Sequence, residues 1–149
     1  MRYIECPGIY DGNEPSLFIA GGISNCADWQ SEFIKKLDGL DITVLNPRRK
    51  NFDVNDPRME EEQIKWEFDH LLKADACSFW FTKETLCPIT LYELGKQTVL
   101  NKTLFVGVHP NYKRKKDVEI QTKLERPEVD IVYSLDDLAK QVYDWRMGK

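Results

Sequence analysis

Carboxylates are the first residues here whose type and place could do chemistry. Glu93 lies in Pro88-Ile89-Thr90-Leu91-Tyr92-Glu93-Leu94-Gly95, where Pro88 suits the first position of a helix. On that helix it falls on the side opposite Leu91 and Leu94, so it projects away from the core toward the rim where the helix begins. A carboxylate so placed can act as a nucleophile or carry a proton. Thr90-x-x-Glu93 also fits a capping box, in which the glutamate satisfies the backbone at residue 90, and spacing alone favours the cap. Glu67 and Asp69 lie on opposite flanks of the apolar stripe of the preceding helical segment, which Asp75 ends; solvated charge is the ordinary status of all three.

Other groups could hold a ligand. Gly21-Gly22-Ile23-Ser24 follows an apolar run and precedes a helical one, so its backbone can approach a ligand and its N–H groups can meet an anion at the helix start. It lacks the full GxGxxG and P-loop signatures, and as a tight turn it needs no ligand. Asn46-Pro47-Arg48-Arg49 sets two guanidinium groups beyond the second run, fit for phosphate or carboxylate, or for surface pairing with Glu60 to Glu62. Phe81, at the end of an aromatic run, is the ring best placed to stack on a base, while most of its neighbours belong to the core. Lys113-Arg114-Lys115-Lys116 has no interleaved aromatics and reads as a solvated loop, with phosphate contact the second reading.

The elements that position these groups alternate in type. Short apolar runs at Leu17–Ala20, Ile42–Leu45, Cys77–Phe81, Leu104–Val108 and Val129–Tyr133 are separated by segments of helical period. This pattern predicts an α/β domain of flavodoxin-like or Rossmann-like type, with a five-stranded, mainly parallel sheet and helices on both faces. The first helix carries Trp29, Phe33, Ile34 and Leu37 on one side, with Asn25 and Asp28 resembling an N-terminal cap. The second turns Ile64, Phe68, Leu71 and Leu72 inward. The third runs from Pro88 with Leu91, Leu94, Thr98 and Val99 inward. A weaker helix covers Asp117 to Leu124, and the last runs from Leu135 to Arg146 around Leu138 and Val142. Residues 1–15 and 46–58 resist a regular reading, and long irregular connections are frequent binding loops. In such a sheet the crevice lies outside the carboxyl ends of the strands, where Gly21 to Ser24, Asn46 to Arg49 and Thr82 to Glu93 all arrive.

At 149 residues the chain suits one domain spanning residues 1–149, with 1–15 as an irregular N-terminal segment. A net charge of -4 argues against a nucleic-acid polymer or an anionic membrane as the main partner. With no long apolar run and no leader-like start, the chain is expected to be cytoplasmic. Its 4 cysteines show no CxxC spacing and its 2 histidines are far apart, so no metal site and reduced thiols are expected, with Cys77 in the core and Cys87 open to solvent.

Taken in order, Leu17-Phe18-Ile19-Ala20-Gly21-Gly22-Ile23, Trp29-Gln30, Val44-Leu45-Asn46-Pro47-Arg48-Arg49, Gln63 through Asp69, Ala74-Asp75, Phe79-Trp80-Phe81 and Pro88 through Gly95 resemble the nucleoside 2-deoxyribosyltransferase-like family. The resemblance implies cleavage of the N-glycosidic bond of a 2'-deoxynucleoside without a cofactor. It implies that Glu93 attacks C1' of the sugar and that Asp69 helps protonate the departing base. It implies a small nucleoside or nucleotide as ligand and a homo-oligomer with sites near subunit contacts; from their places at the rim, Gly21, Gly22, Ser24, Asn46, Arg48, Arg49, Phe81, Pro88 and Thr90 are the residues expected to hold that ligand. This chain departs from the transferases in having Cys87-Pro88-Ile89 where they tend to carry an acidic residue, and Arg48 and Arg49 suit a 5'-phosphate, which would favour nucleotides and hydrolysis. Two readings compete: a nucleotide-sensing module that keeps the crevice without chemistry, and a partner-binding protein whose Glu93 only caps a helix.

Overall fold

Strand β2, Ser16–Gly21, is buried along nearly its whole length, as a strand covered by helices on both faces has to be. Its side chains alternate between two apolar clusters. Leu17 and Ile19 enter one with Trp29 and Phe33 of α1 (Trp29–Lys36) and Leu138 and Val142 of α5 (Leu135–Arg146). Phe18 and Ala20 enter the other, with Trp66 and Leu71 of α2 (Pro57–Lys73), Leu94 of α3 (Pro88–Thr98) and Val118 of α4 (Lys115–Glu125). Two helices therefore cover one face of the sheet and three the other.

The computed structural model describes all 149 residues. Its remaining strands are β1 (Arg2–Glu5), β3 (Thr43–Asn46), β4 (Ala76–Phe81), β5 (Thr103–Val108) and β6 (Ile131–Val132). They form one sheet of order β1-β3-β2-β4-β5-β6 in which every pairing is parallel. The α/β, flavodoxin-like class read from the sequence is what the chain adopts. The strand count was one short, and the N-terminal stretch is not wholly irregular, because Arg2 to Glu5 pair with Thr43 to Asn46 at the sheet edge. The reason is local: this edge strand buries only Ile4, so it carries no apolar run.

Helix ends follow the side chains available. Asp28 alone caps α1, accepting from the Ser31 amide at 3.2 Å, while Asn25 takes a left-handed turn with φ 56°. Asp56 caps α2 ahead of Pro57. Ser134 caps α5, whose bounds match the sequence reading. The predicted weak helix is α4, and it takes in the end of the basic cluster. Asp75 spends its carboxylate on Ser16, accepting from the backbone amide at 2.8 Å and the hydroxyl at 2.9 Å, which fixes the start of β2.

The inward faces of α2 and α3 differ from the prediction. Leu71 is buried, but Ile64, Phe68 and Leu72 are exposed, and the buried face of α2 carries Trp66 and His70 instead. Trp66 donates its indole N–H to the Gly8 carbonyl at 2.7 Å and stacks on His70 with ring centroids 4.0 Å apart. In α3, Leu94 and Thr98 are buried, whereas Val99 is 69% exposed.

Candidate active site

From β2 the chain passes to β3 on one side, then returns to β4 on the other, so strand order reverses at β2. At this point a cleft of about 320 Å³ opens outside the carboxyl ends of the strands. Gly21 to Ser24 line it after β2, Pro47 after β3, Thr85 and Cys87 after β4, and Pro88, Ile89, Thr90 and Glu93 from α3. Helix α2 adds Glu67.

Packing explains the two glycines. A Cβ on Gly21 would lie 2.3 Å from Cζ2 of Trp29 and 2.5 Å from the Trp80 carbonyl oxygen, and one on Gly22 would meet Thr85 and the Cys87 sulfur at 3.0 and 3.1 Å. The Gly22 carbonyl accepts from Trp29 Nε1 at 2.9 Å and Gln30 Nε2 at 3.0 Å. Gln30 is held in turn by the Arg48 guanidinium at 3.0 Å. Arg48 thus shapes the glycine turn and also donates to the Ala27 carbonyl at 3.0 Å; it is not free for a phosphate. Arg49, with a side chain only 9% exposed, pairs with Glu62 at 2.8 Å.

The capping-box reading of Glu93 does not survive. Helix α3 starts one turn earlier, with Cys87 as its N-terminal residue at φ 47° and Pro88 in the first turn, so Thr90 is an interior helical residue. Glu93 faces the cleft in the second turn. Cys87, expected to be open to solvent, is 4% exposed because the left-handed turn tucks its sulfur against Gly22.

Burial and the neighbouring Glu67 carboxylate push Glu93 up to about 8, with Lys96 acting weakly the other way and no hydrogen bond offsetting them. Burial also raises Glu67, and a hydrogen bond from Gln63 pulls it back. That amide donates to Glu67 Oε1 at 2.7 Å and to the Pro47 carbonyl at 2.6 Å, which fixes the Glu67 side chain against the β3 loop. Two carboxyl groups in one cleft are thus each made reluctant to ionise, Glu93 the more clearly.

Of the residues singled out in the sequence, the fold brings Gly21, Gly22, Ser24, Pro88, Thr90 and Glu93 into this cleft. Asp69 is exposed and Glu67 stands in the cleft in its place. At 3.6 residues per turn, positions two apart on α2 point about 200° apart, so only one of the two could face inward. Asn46 is buried and structural: its side-chain amide donates to the Tyr3 hydroxyl at 3.0 Å and its oxygen accepts from the Arg48 amide. Phe81 is 0% exposed and packs on Tyr112 with centroids 5.2 Å apart, in the core and away from any ligand. Pro47, Gln63 and Thr85 gave no signal of their own in the sequence, because their part depends on the loop geometry that places them.

No group of His, Cys, Asp and Glu side chains is arranged to hold a metal ion, and no helix is long and apolar enough to cross a membrane.

Comparison with known proteins matches this architecture. A crystal structure of a conserved protein from Enterococcus faecalis V583 superposes with a TM-score of 0.66 at 15% identity, covering 89% of this chain and 99% of that one. At that identity the likeness speaks for the fold. No curated protein matches the chain. Residues 14–112, from the entry into β2 through the cleft-lining segments to the end of the β5 loop, match the family described as nucleoside 2-deoxyribosyltransferase like. The strand order, the cleft at its reversal and the match across two thirds of the sequence agree, and the chain belongs to the nucleoside 2-deoxyribosyltransferase-like family.

Proposed function

We propose that this protein cleaves the N-glycosidic bond of a nucleoside or nucleotide and passes the 2-deoxyribosyl group from Glu93 to a second base or to water. The observation that carries this reading is the pairing of Glu93 with Glu67 in one cleft at the strand-order reversal.

In the reactive form Glu93 is ionised and Glu67 holds a proton. A Glu93 oxygen bonds to C1' of the sugar while the C1'–N bond breaks. The electron pair of that bond stays on the base nitrogen, and the base receives the proton from Glu67. The sugar is left as an ester of Glu93. A second base or a water then attacks C1', loses its proton to Glu67, and releases Glu93 as carboxylate, restoring the starting charge state. Glu67 replaces Asp69 in the proton-carrying role because it alone of the two lines the cleft. No cofactor enters these steps.

The reading includes a homo-oligomer. Ile64, Phe68 and Leu72 on α2 and Ile89 and Tyr92 on α3 are all between 48% and 67% exposed. Phe68 and Tyr92 both flank the Lys96 ammonium, at 4.5 and 5.6 Å, so the two helices present one apolar face. Ile89 belongs both to this face and to the cleft wall, so a second copy seated there would close the open side of the cleft. The ligand is a small molecule handled in the cytoplasm.

The test is incubation of the purified protein with nucleosides and 5'-nucleotides, with and without a second free base, followed by chromatography. Released or exchanged base, abolished in Glu93→Gln with ligand binding retained, is the expected result. Unchanged substrate across the panel would sink the reading.

A further inference from the structure

Cys26 and Cys87 are far apart in sequence, yet the fold sets both sulfurs against Gly22. A Cβ built on that glycine would lie 3.3 Å from the Cys26 sulfur and 3.1 Å from the Cys87 sulfur, so the two sulfurs share one small space beside the glycine turn. Cys87 lines the cleft, and its left-handed backbone, at φ 47°, starts α3, the helix that carries Glu93. Its thiol donates weakly to the Thr85 carbonyl at 3.6 Å. Cys26 is partly exposed and lies in the segment 22–28, which is neither helix nor strand and can shift to bring the sulfurs into bonding distance.

Thr82 gives a second sign. Its hydroxyl is buried with no hydrogen-bond partner in the chain, and it lies near enough to both thiols to favour their ionised forms. Burial is the larger influence and raises both thiols; the Arg48 charge works against it at Cys26, and the Thr82 and Gly22 backbones do so at Cys87. The proposed reaction uses neither thiol.

We infer that Cys26 and Cys87 form an oxidative modification site, in which a peroxide joins them as a disulfide that ties the glycine turn to the start of α3. This goes beyond the glycosidic reading and does not depend on it. Cys26, the more exposed, reacts first. Its thiolate bonds to one peroxide oxygen, the O–O bond breaks, and the departing hydroxide takes up the thiol proton as water. Cys87 then attacks the Cys26 sulfur as thiolate, the S–O bond breaks, and a second water leaves with the Cys87 proton. Two thiols are oxidised to one disulfide, and one peroxide is reduced to two waters. Cys6 and Cys77 stay outside this chemistry, being 3% and 0% exposed, with burial pushing each thiol up to about 12.

Treatment of the whole, reduced protein with hydrogen peroxide, followed by non-reducing peptide mass spectrometry with fragmentation, tests this. The protein should lose two hydrogens, the link should map between Cys26 and Cys87, and dithiothreitol should restore the starting mass. Cys26→Ser should form no bridge, and in Cys87→Ser dimedone should trap the sulfenic acid on Cys26. In the bridged protein, amide exchange in residues 22–26 and 87–91 should slow by about tenfold or more and recover on reduction. Thiols left untouched by peroxide, a bridge to Cys6 or Cys77, a link between two chains, or sulfinic acid at Cys26 without a bridge would overturn the inference. A mapped bridge with unchanged exchange would overturn the tying of the glycine turn to α3. The unmodified protein decides the pairing even where a variant does not fold.

Discussion

Replacing Glu93 by glutamine should make the protein more stable, and increasingly so as pH rises. The carboxyl is held at about 8 in the folded protein against an ordinary value of 4.5. The folded state therefore binds this proton more tightly than the unfolded chain, and stability falls as pH climbs from about 4.5 to about 8 and is level beyond. At about 1.4 kcal/mol per unit the whole gap corresponds to about 5 kcal/mol. By exposed surface the side chain is only half-buried, so water in the open cleft relieves part of this, and about 2–3 kcal/mol is the expected realised cost. Glutamine has nearly the same shape and cannot ionise. Urea unfolding of both proteins, followed by tryptophan fluorescence at pH 5, 7 and 9, isolates the effect, since most other titrating groups are common to both. The curves should nearly meet at pH 5 and diverge by about 2–3 kcal/mol at pH 9 in favour of the variant. A difference independent of pH would refute the claim that folding forces this carboxyl into a site that resists its charge.

Three further outcomes follow from the same geometry. The Glu93–Glu67 pair should give a bell-shaped kcat/KM profile, inactive in acid where both are protonated and declining above about 8 where both are ionised; Glu67→Gln should cost about 10²–10⁴ in rate and abolish the alkaline decline. Gly21→Ala forces a methyl to within 2.3 Å of the Trp29 ring and 2.5 Å of a backbone carbonyl, and thermal melting should show a loss of about 3 kcal/mol or more; an unchanged melting temperature would mean that the turn is not so constrained. Phe68→Asp should convert the assembly to monomer by light scattering, and an unchanged mass would remove the α2–α3 face as the contact.

Much of the fold was legible because parallel strands covered on both faces need apolar residues at every position. That requirement produces the unbroken runs of β2, β4 and β5. It fails for β1, which touches the sheet along one edge and shows no run. Glu93 was legible from its place on the helix after the third apolar run, but its capping alternative was not dismissible by spacing. What dismisses it is the left-handed Cys87, which starts α3 a turn sooner than Thr90 would. Arg48 and Arg49 look alike in sequence to a free phosphate clamp, and only the backbone carbonyls, Gln30 and Glu62 around them show that both are already committed.

Helix α2 is where the usual rule reverses, and the reversal carries meaning for function. Amphipathic reasoning turns the most apolar stripe inward, here Ile64, Phe68 and Leu72. The fold instead buries the face with Trp66, His70 and Leu71, brings Gln63 and Glu67 to the cleft side, and leaves that stripe in solvent. Specific contacts hold this orientation: the Trp66 bond to Gly8, its packing on Phe18 with centroids 6.0 Å apart, and the Gln63 bonds to Pro47 and Glu67. A helix that leaves its apolar stripe in solvent while bringing a carboxyl into a cleft offers that stripe as a contact surface. The same rotation of α2 that brings Glu67 to the cleft leaves the surface that the proposed second subunit would cover, so the proposed proton carrier and the proposed contact would both follow from one packing choice.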